Sequence, residues 1–355
     1  MKNRYIYNLD FATLSFFLVN SYFINVGFNV LTINSMTDSI IDIIIGGIMI
    51  ILFVSLVLWI RKCYDKDLIS TIFSFKILKY PLTILLLIII GISTIYSLTN
   101  LTSFIHFYML KEVDAFTISI SLILTIIYLV RKNLPTITRI SEICFYIYMF
   151  IFILGFIGLY KYIDLSNLKP LLTTSINSHI KTSFTFFNYS IFPIFLLLGL
   201  KQDEYENKDN LLIIIFTLLG ILTIFLEAIL IISVLGINLT NMYQNPDIMI
   251  YKKISFLNIF ERVEVFLSFN QLLNGIFIIT INFYLMKKII ISVIKKEKEL
   301  IILTLLGILF LFLSNIITIS KDTYLFINTL LIFITFFILI RTIIYKYILH
   351  LQDQF

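Results

Sequence analysis

The stretch Phe11-Ala-Thr-Leu-Ser-Phe-Phe-Leu-Val-Asn-Ser-Tyr-Phe-Ile-Asn-Val-Gly-Phe-Asn-Val-Leu-Thr32 decides how this chain is read. A bilayer core of about 30 Å is crossed by roughly 20 apolar helical residues, and this stretch is long and apolar enough to do so. Yet its centre carries Asn20, Ser21, Asn25, Gly27 and Asn29. Lys2 and Arg4 precede it, as they would a signal peptide, but it is too long for one and no small-residue cleavage site follows. It is read as a permanent membrane helix with a polar interruption.

The rest of the chain has the same character. Its 355 residues are 59% hydrophobic and 14% charged, with a mean hydropathy of +1.00. Soluble domains are nearer to about 45–50% apolar and about 25% charged, so a soluble globular enzyme is excluded. Hydropathy marks ten spans: Phe11 to Thr32, Ser39 to Ile60, Pro81 to Leu110, Asp114 to Val130, Ile140 to Tyr160, Thr182 to Leu200, Leu211 to Leu235, Val263 to Met286, Leu300 to Ile319 and Tyr324 to Tyr345. Barrel strands would be shorter and strictly alternating, so the expected fold class is an all-α polytopic membrane protein, a single membrane domain over residues 1–355. Little chain remains for an extramembrane catalytic domain, and no enzyme activity is expected.

The formal charge of +6 is not gathered into one basic stripe, which excludes a nucleic-acid partner. The basic residues lie between the apolar runs. Counted loop by loop, nineteen Lys and Arg fall on one side and eight on the other. Basic residues mark cytoplasmic loops, so both termini are expected in the cytoplasm. Cys63 lies in a basic loop and Cys144 in an apolar span; both are read as free thiols, and neither spacing suggests a metal. No nucleotide loop, zinc spacing or nucleophile motif is present, and no cofactor is expected. The inner segment Leu68 to Leu78 reads equally as a surface-lying helix or as a solvated connector.

Ionisable groups in lipid are expensive and therefore informative. Glu227, central in the seventh span, reads either as a proton- or cation-linked group or as a structural hydrogen-bonding one. Glu142 and Asp42 lie one turn inside their spans and are expected to snorkel or to serve helix ends, and His106 is expected to be a satisfied bundle histidine. Glu264, Ser268, Gln271 and Asn274 or Gly275 share one face of the eighth span, which points either at a polar cavity or at neighbouring helices. A second interruption, Asn188-Tyr189-Ser190 before Pro193, stands in the sixth span. Paired interruptions in two halves point to a midplane site of the transporter type, with ordinary kinks as the alternative.

Three runs, Arg139-Ile-Ser-Glu142, Ile163-Asp-Leu-Ser-Asn-Leu-Lys-Pro170 and Phe260-Glu-Arg-Val-Glu264, occur in order along the chain. With ten spans, they make it resemble the B subunit of GerA-type spore germinant receptors, the GerAB family within the amino acid-polyamine-organocation transporter superfamily. The resemblance covers nearly the whole chain. It implies a five-plus-five inverted repeat, the first over residues 11–160 and the second over 182–345, with a small-molecule pocket between the first, third, sixth and eighth helices. The ligand-binding candidates are then Ser21, Asn25, Gly27, Asn29, Tyr96, Asn100, Asn188, Tyr189, Ser190, Ser268 and Gln271, with Glu227, Arg262 and Glu264 as structural or coupling residues. Arg262 and Glu264 match the family's Arg-x-Glu element. The chain departs from the family at Asn188, Tyr189 and Ser190, where a glycine and an acidic residue are common, and at Asn270, where an aromatic is.

The resemblance implies an integral protein of the spore inner membrane or bacterial cell membrane that senses a small nutrient such as an amino acid. Receptor A and C subunits are its implied partners beside the lipid bilayer. The alternative is an autonomous amino acid permease coupled to protons or sodium.

Overall fold

α1 (Asn8–Asn20) is apolar on every side, as a helix surrounded by protein must be, and its residues from Asp10 onward are all buried. The computed structural model describes residues 8–21, 25, 27–62, 79–190, 210–254, 263–293 and 299–352. Thirteen residues span only about 20 Å, short of a bilayer core, so the crossing begun by α1 needs the chain beyond it. Beyond α1 the amide of Ser21 bonds to the Phe17 carbonyl, Asn25 is again helical, Gly27 adopts φ +78°, and α2 (Asn29–Ser35) follows. The interruption read from the sequence is therefore a real break.

The elements that follow are α3 (Ser39–Lys62), α4 (Lys79–Phe104) with a π turn at Ile105–Met109, α5 (Ala115–Arg131) and α6 (Leu134–Leu159). After two short 3-10 turns come α7 (Ile176–Tyr189), α8 (Asn210–Met242), α9 (Pro246–Tyr251), α10 (Val263–Leu267), α11 (Phe269–Val293), α12 (Glu299–Ile316) and α13 (Lys321–Gln352). Seven helical stretches are long and apolar enough to cross a membrane: Asn29–Trp59, Tyr80–Met109, Leu134–Tyr162, Asn210–Met242, Glu264–Ile291, Glu299–Ile316 and Lys321–Arg341. Leu9–Asn20 and Ala115–Arg131 are shorter apolar helices. The protein is an all-α polytopic membrane protein. Of the sixth expected span, the described part ends at Ser190; Pro193, Cys63 and Leu68 to Leu78 lie outside the described residues.

α8, α6 and α11 pack around α1, α4 lies against α11, and α7 joins α2, α3 and α13. Gly220 permits the close approach of α8 to α1, where a Cβ would stand 3.2 Å from the Phe16 carbonyl. Outward faces of α3, α6 and α12 carry stripes such as Ile48, Leu52 and Trp59, or Leu305, Ile308 and Phe312, that suit lipid.

Several polar expectations change in the folded chain. α8 runs past the expected end at Leu235, bent at Gly236 with φ +72°. The Ser233 carbonyl beside that bend accepts from the amide of Asp164 and the side chain of Asn167, and Lys253 donates to the Val234 carbonyl. Asp42 does stand in the first turn of α3, but it is fully buried and bonded to His179 at 2.7 Å instead of snorkelling. The partner comes from α7, which sequence spacing does not reveal. Nearby, Asp38 accepts from the backbone amides of Leu172, Thr173 and Thr174, fastening the connection before α7 to the α2–α3 bend. His106 is satisfied by the Val113 carbonyl, and Cys144 is a free thiol, as expected. The eighth span is not one continuous helix: α10 ends at Leu267, Ser268 forms a turn and α11 begins at Phe269.

Candidate functional site

Breaking α1 in the membrane interior frees backbone groups that lipid cannot satisfy. The side chains around the break do so. Ser21 donates its amide to the Phe17 carbonyl and its hydroxyl to the Leu18 carbonyl, and its own carbonyl receives the amide of Asn25. The Asn25 carbonyl accepts from the side chain of Asn100 on α4 at 2.9 Å, while the Asn25 side-chain amide reaches the Tyr324 hydroxyl at 3.4 Å. Beyond Gly27, the Asn29 amide group donates to the Tyr243 carbonyl. A side chain at Gly27 would crowd the Gln244 carbonyl, 3.0 Å from an ideal Cβ, so the break also fits closely against the chain leaving α8.

The second interruption arrives at the same place. α7 ends at Tyr189, whose ring stacks on Tyr324 at 5.4 Å. Tyr96 of α4 also stacks on Tyr324, at 4.1 Å with planes 18° apart. Tyr189 donates to the Lys321 carbonyl and Asn188 to the Leu325 carbonyl, so the end of α7 is tied to the first turns of α13. Ser93, Ser97 and Asn328 face the Tyr324 hydroxyl. The result is a junction of α1, α2, α4, α7 and α13 in which three tyrosine rings close over polar groups. Asn25, Tyr96, Tyr189, Ser190 and Tyr324 are all buried, so the junction is shut in this conformation.

The junction also holds hydrogen-bonding capacity that the protein does not use. Among the described residues, the side-chain oxygens of Asn25, Ser97, Asn188 and Ser190, and both polar side-chain atoms of Asn328, are buried and have no partner in bonding geometry. Each such group costs about 1–3 kcal/mol relative to a bonded one. The set mixes acceptors and donors, which suits a small zwitterionic or hydroxylated solute.

Of the sequence candidates, Asn25, Tyr96, Asn100, Asn188 and Tyr189 are linked here by hydrogen bonds or ring contacts, Ser190 caps α7 next to Tyr189, and Ser21, Gly27 and Asn29 lie along the interruption of the first span. Ser268 and Gln271 stand apart from them. The Ser268 hydroxyl donates to the Val265 carbonyl of its own helix, and among the described residues no hydrogen bond joins either residue to the junction. Gly275, on the same expected face, packs dry against Leu101 of α4. Asn274 instead faces the Tyr148 hydroxyl on α6. Glu264 is half-buried at the start of α10, and Arg262 lies outside the described residues.

Glu227 is buried in α8 beside Asp247 of α9 and the Tyr251 hydroxyl. The open groove of about 560 Å³ between the π turn, α6 and the α10–α11 turn is another matter. It is lined by Met109, Ile147, Ile151, Val265, Phe266 and Phe269, and has the composition of a lipid-facing cleft.

Four residues of the junction escaped the sequence reading, Ser93, Ser97, Tyr324 and Asn328. A signal was present: Tyr324, Asn328, Leu331 and Thr335 follow i, i+4, i+7, i+11 and form one buried face of α13. Asp247 escaped because it sits next to Pro246, between the seventh and eighth expected spans, where a carboxylate is expected to be solvated.

A comparison with curated proteins finds no match. The family model described as "Spore germination protein", the spore permeases, matches residues 11–323, from the start of the broken first span to the residue before Tyr324. That match covers most of the chain, agrees with the transporter-like arrangement of interrupted helices, and concerns a transporter- and receptor-like family, not an enzyme family. The chain belongs to the spore germination protein family.

Proposed function

We propose that this protein is the nutrient-sensing B subunit of a GerA-type germinant receptor, in the spore inner membrane with both termini cytoplasmic. The junction at Tyr324 receives an amino acid or a similarly small nutrient. The observation that carries the reading is the meeting of both helix interruptions on one tyrosine, beside buried polar atoms that have no partner among the described residues. An inverted repeat over residues 11–160 and 182–345 accounts for why the first and sixth spans are the ones interrupted.

Binding in a shut junction requires the tyrosines to part. A ligand drives such a change only by the difference in its affinity for the two states, and couplings of about 1–3 kcal/mol are typical of allosteric proteins. On this reading the freed movement of α2, α7 and α13 is passed to receptor A and C subunits. Those elements share contacts through α7, so a displacement at Tyr324 is felt by all three.

The test has two arms. Spores carrying Tyr324→Ala should require higher nutrient concentrations to germinate while keeping normal levels of the protein. Proteoliposomes containing this chain alone should bind labelled nutrient without accumulating it. Concentrative uptake by the isolated chain would contradict the sensor reading and favour the autonomous permease; an unchanged nutrient response in Tyr324→Ala spores would remove the junction from the account.

A further inference from the structure

Among the described residues, three other than glycine have positive φ: Met36 at 48°, Asn133 at 67° and Leu172 at 60°. Asparagine adopts that region readily, whereas for a bulky apolar residue it is an outlier that persists only where the surroundings impose it. The two apolar ones stand side by side. Thr37, next to Met36, donates its hydroxyl to the Pro170 carbonyl. The Asp38 carboxylate accepts the amide of Leu172 itself, together with those of Thr173 and Thr174 at 2.9 Å each and the Thr174 hydroxyl at 2.8 Å. One buried carboxylate with four donors is what imposes the conformation.

What this clamp displays is apolar. Met36 is 56% exposed and Leu172 74%, Leu171 is exposed beside them, and Ile176 and Ile180 carry the surface onto α7. Neither strained side chain is buried, so the strain does nothing for the core. Ile176, Ile180 and Phe184 follow i, i+4 and i+8 and leave one exposed stripe down α7, whose other face buries Thr182, Ser183, Phe186 and Phe187.

Depth and charge identify what covers this surface. The 24 residues of α3 are about 36 Å long, enough to span a hydrocarbon core of about 30 Å, so the Met36–Asp38 turn ahead of it stands at the edge of that core. The stripe on α7 then runs from the edge into the core, as a face that meets lipid does and a face that meets a water-borne protein does not. Over residues 161–181 the exposed charged side chains are Lys161, Asp164, Lys169 and Lys181, three cations against one carboxylate, while His179 is turned onto Asp42. Lys169 and Lys181 bracket the apolar tip along the chain.

We propose that Met36, Leu171, Leu172, Ile176 and Ile180, with Lys169 and Lys181, form a docking surface for anionic phospholipid. The apolar tip enters the boundary between headgroups and acyl chains, and the two ammonium groups meet the negatively charged headgroups around it. The Asp38 clamp keeps the tip rigid. Because α7 ends at Tyr189, the lipid-bound tip and the tyrosine-lined junction are the two ends of one 14-residue helix. The surface stands whether or not that junction takes the nutrient.

The full chain tests this by fluorescence quenching in nanodiscs of phosphatidylcholine mixed with phosphatidylglycerol. Leu172→Trp is the reporter, in a Trp59→Phe background that removes the single natural tryptophan. Bromine is carried on the acyl chains of one lipid at a time, close to the headgroup. Ile176→Trp, at a helical position, gives the same readout without relying on the strained backbone. At equal mole fraction, brominated phosphatidylglycerol should quench either reporter more strongly than brominated phosphatidylcholine. That preference should fall by up to roughly five-fold for each of Lys169→Gln and Lys181→Gln at low salt. Emission that neither lipid quenches would overturn the proposal, since the tip would then face water and be open to a protein. Equal quenching by the two lipids, or a preference unchanged in the Lys169→Gln/Lys181→Gln double variant, would overturn it as well. No nutrient enters the measurement, so its failure leaves the reading of the Tyr324 junction untouched.

Discussion

The side-chain amide of Asn100 donates to the backbone carbonyl of Asn25 at 2.9 Å, so α4 is tied directly to the backbone just before Gly27. Replacing Asn100 with Ala leaves that carbonyl without its donor inside the membrane. Interhelical hydrogen bonds in bilayers average about 0.6 kcal/mol and reach about 1.7 kcal/mol. Asn100→Ala should lower unfolding stability within that range and move the nutrient response to higher concentration. Asn315→Ala, at a site where the amide only bonds back to Leu311 of its own helix, should do neither.

Gly27 is the residue on which the break turns. Its φ of +78° is unfavourable for a side chain by roughly 1–2 kcal/mol, and a Cβ would also press on the Gln244 carbonyl. Gly27→Ala should therefore destabilise the protein by at least about 1 kcal/mol. Thermal unfolding in detergent would show it, and an unchanged midpoint would mean that the local backbone relaxes without loss.

Where α2 turns into α3, Asp38 gathers three amides and the Thr174 hydroxyl, while Asp42 pairs with His179. Hydrogen bonds to a charged group are worth about 1.5–3 kcal/mol each, so Asp38→Ala should destabilise by several kcal/mol and release the loop from Pro170 to Ser175. Hydrogen exchange at the amides of Leu172, Thr173 and Thr174 should accelerate markedly. Exchange as slow as in the unmutated protein would show that other contacts hold the loop.

Burial pushes the Asp247 carboxyl from 3.8 up to about 7, opposed only by the nearby amides of Asp247 and Ile248. The titratable groups that face or act with it are Glu227 on α8, Tyr251 on α9, Tyr148 on α6 and Tyr108 in the π turn. A raised folded-state value means that the native protein keeps a proton the unfolded chain has released. Stability should therefore be greatest below about pH 4, fall as pH rises, and level off above about pH 7. Asp247→Asn should flatten this dependence.

Hydropathy made the membrane spans legible, because a crossing must be apolar for its whole length whatever lies beside it. The break at Asn25 and Gly27 was legible for a related reason: polar residues and a glycine in lipid need a purpose. Pairings across the chain were not. Asp42 seemed close enough to water to snorkel, and only the fold brings His179, 137 positions away, against it. Gln271 shares its helical face with Asn274 on paper, but the turn at Ser268 and the contact of Gly275 with Leu101 show how local geometry redirects such a stripe. Asp247 was hidden by its loop-like surroundings, since sequence does not reveal that α9 folds back against α8.

The most direct measurement is equilibrium binding of a panel of labelled amino acids and related small nutrients to the purified chain. One chemical class should bind saturably and lose about ten-fold or more in affinity on Asn25→Ala or Ser190→Ala, which remove unbonded polar groups at the junction. Affinities untouched by both substitutions, or no saturable binding across the panel, would contradict the claim that the two interrupted helices meet at Tyr324 to hold the ligand.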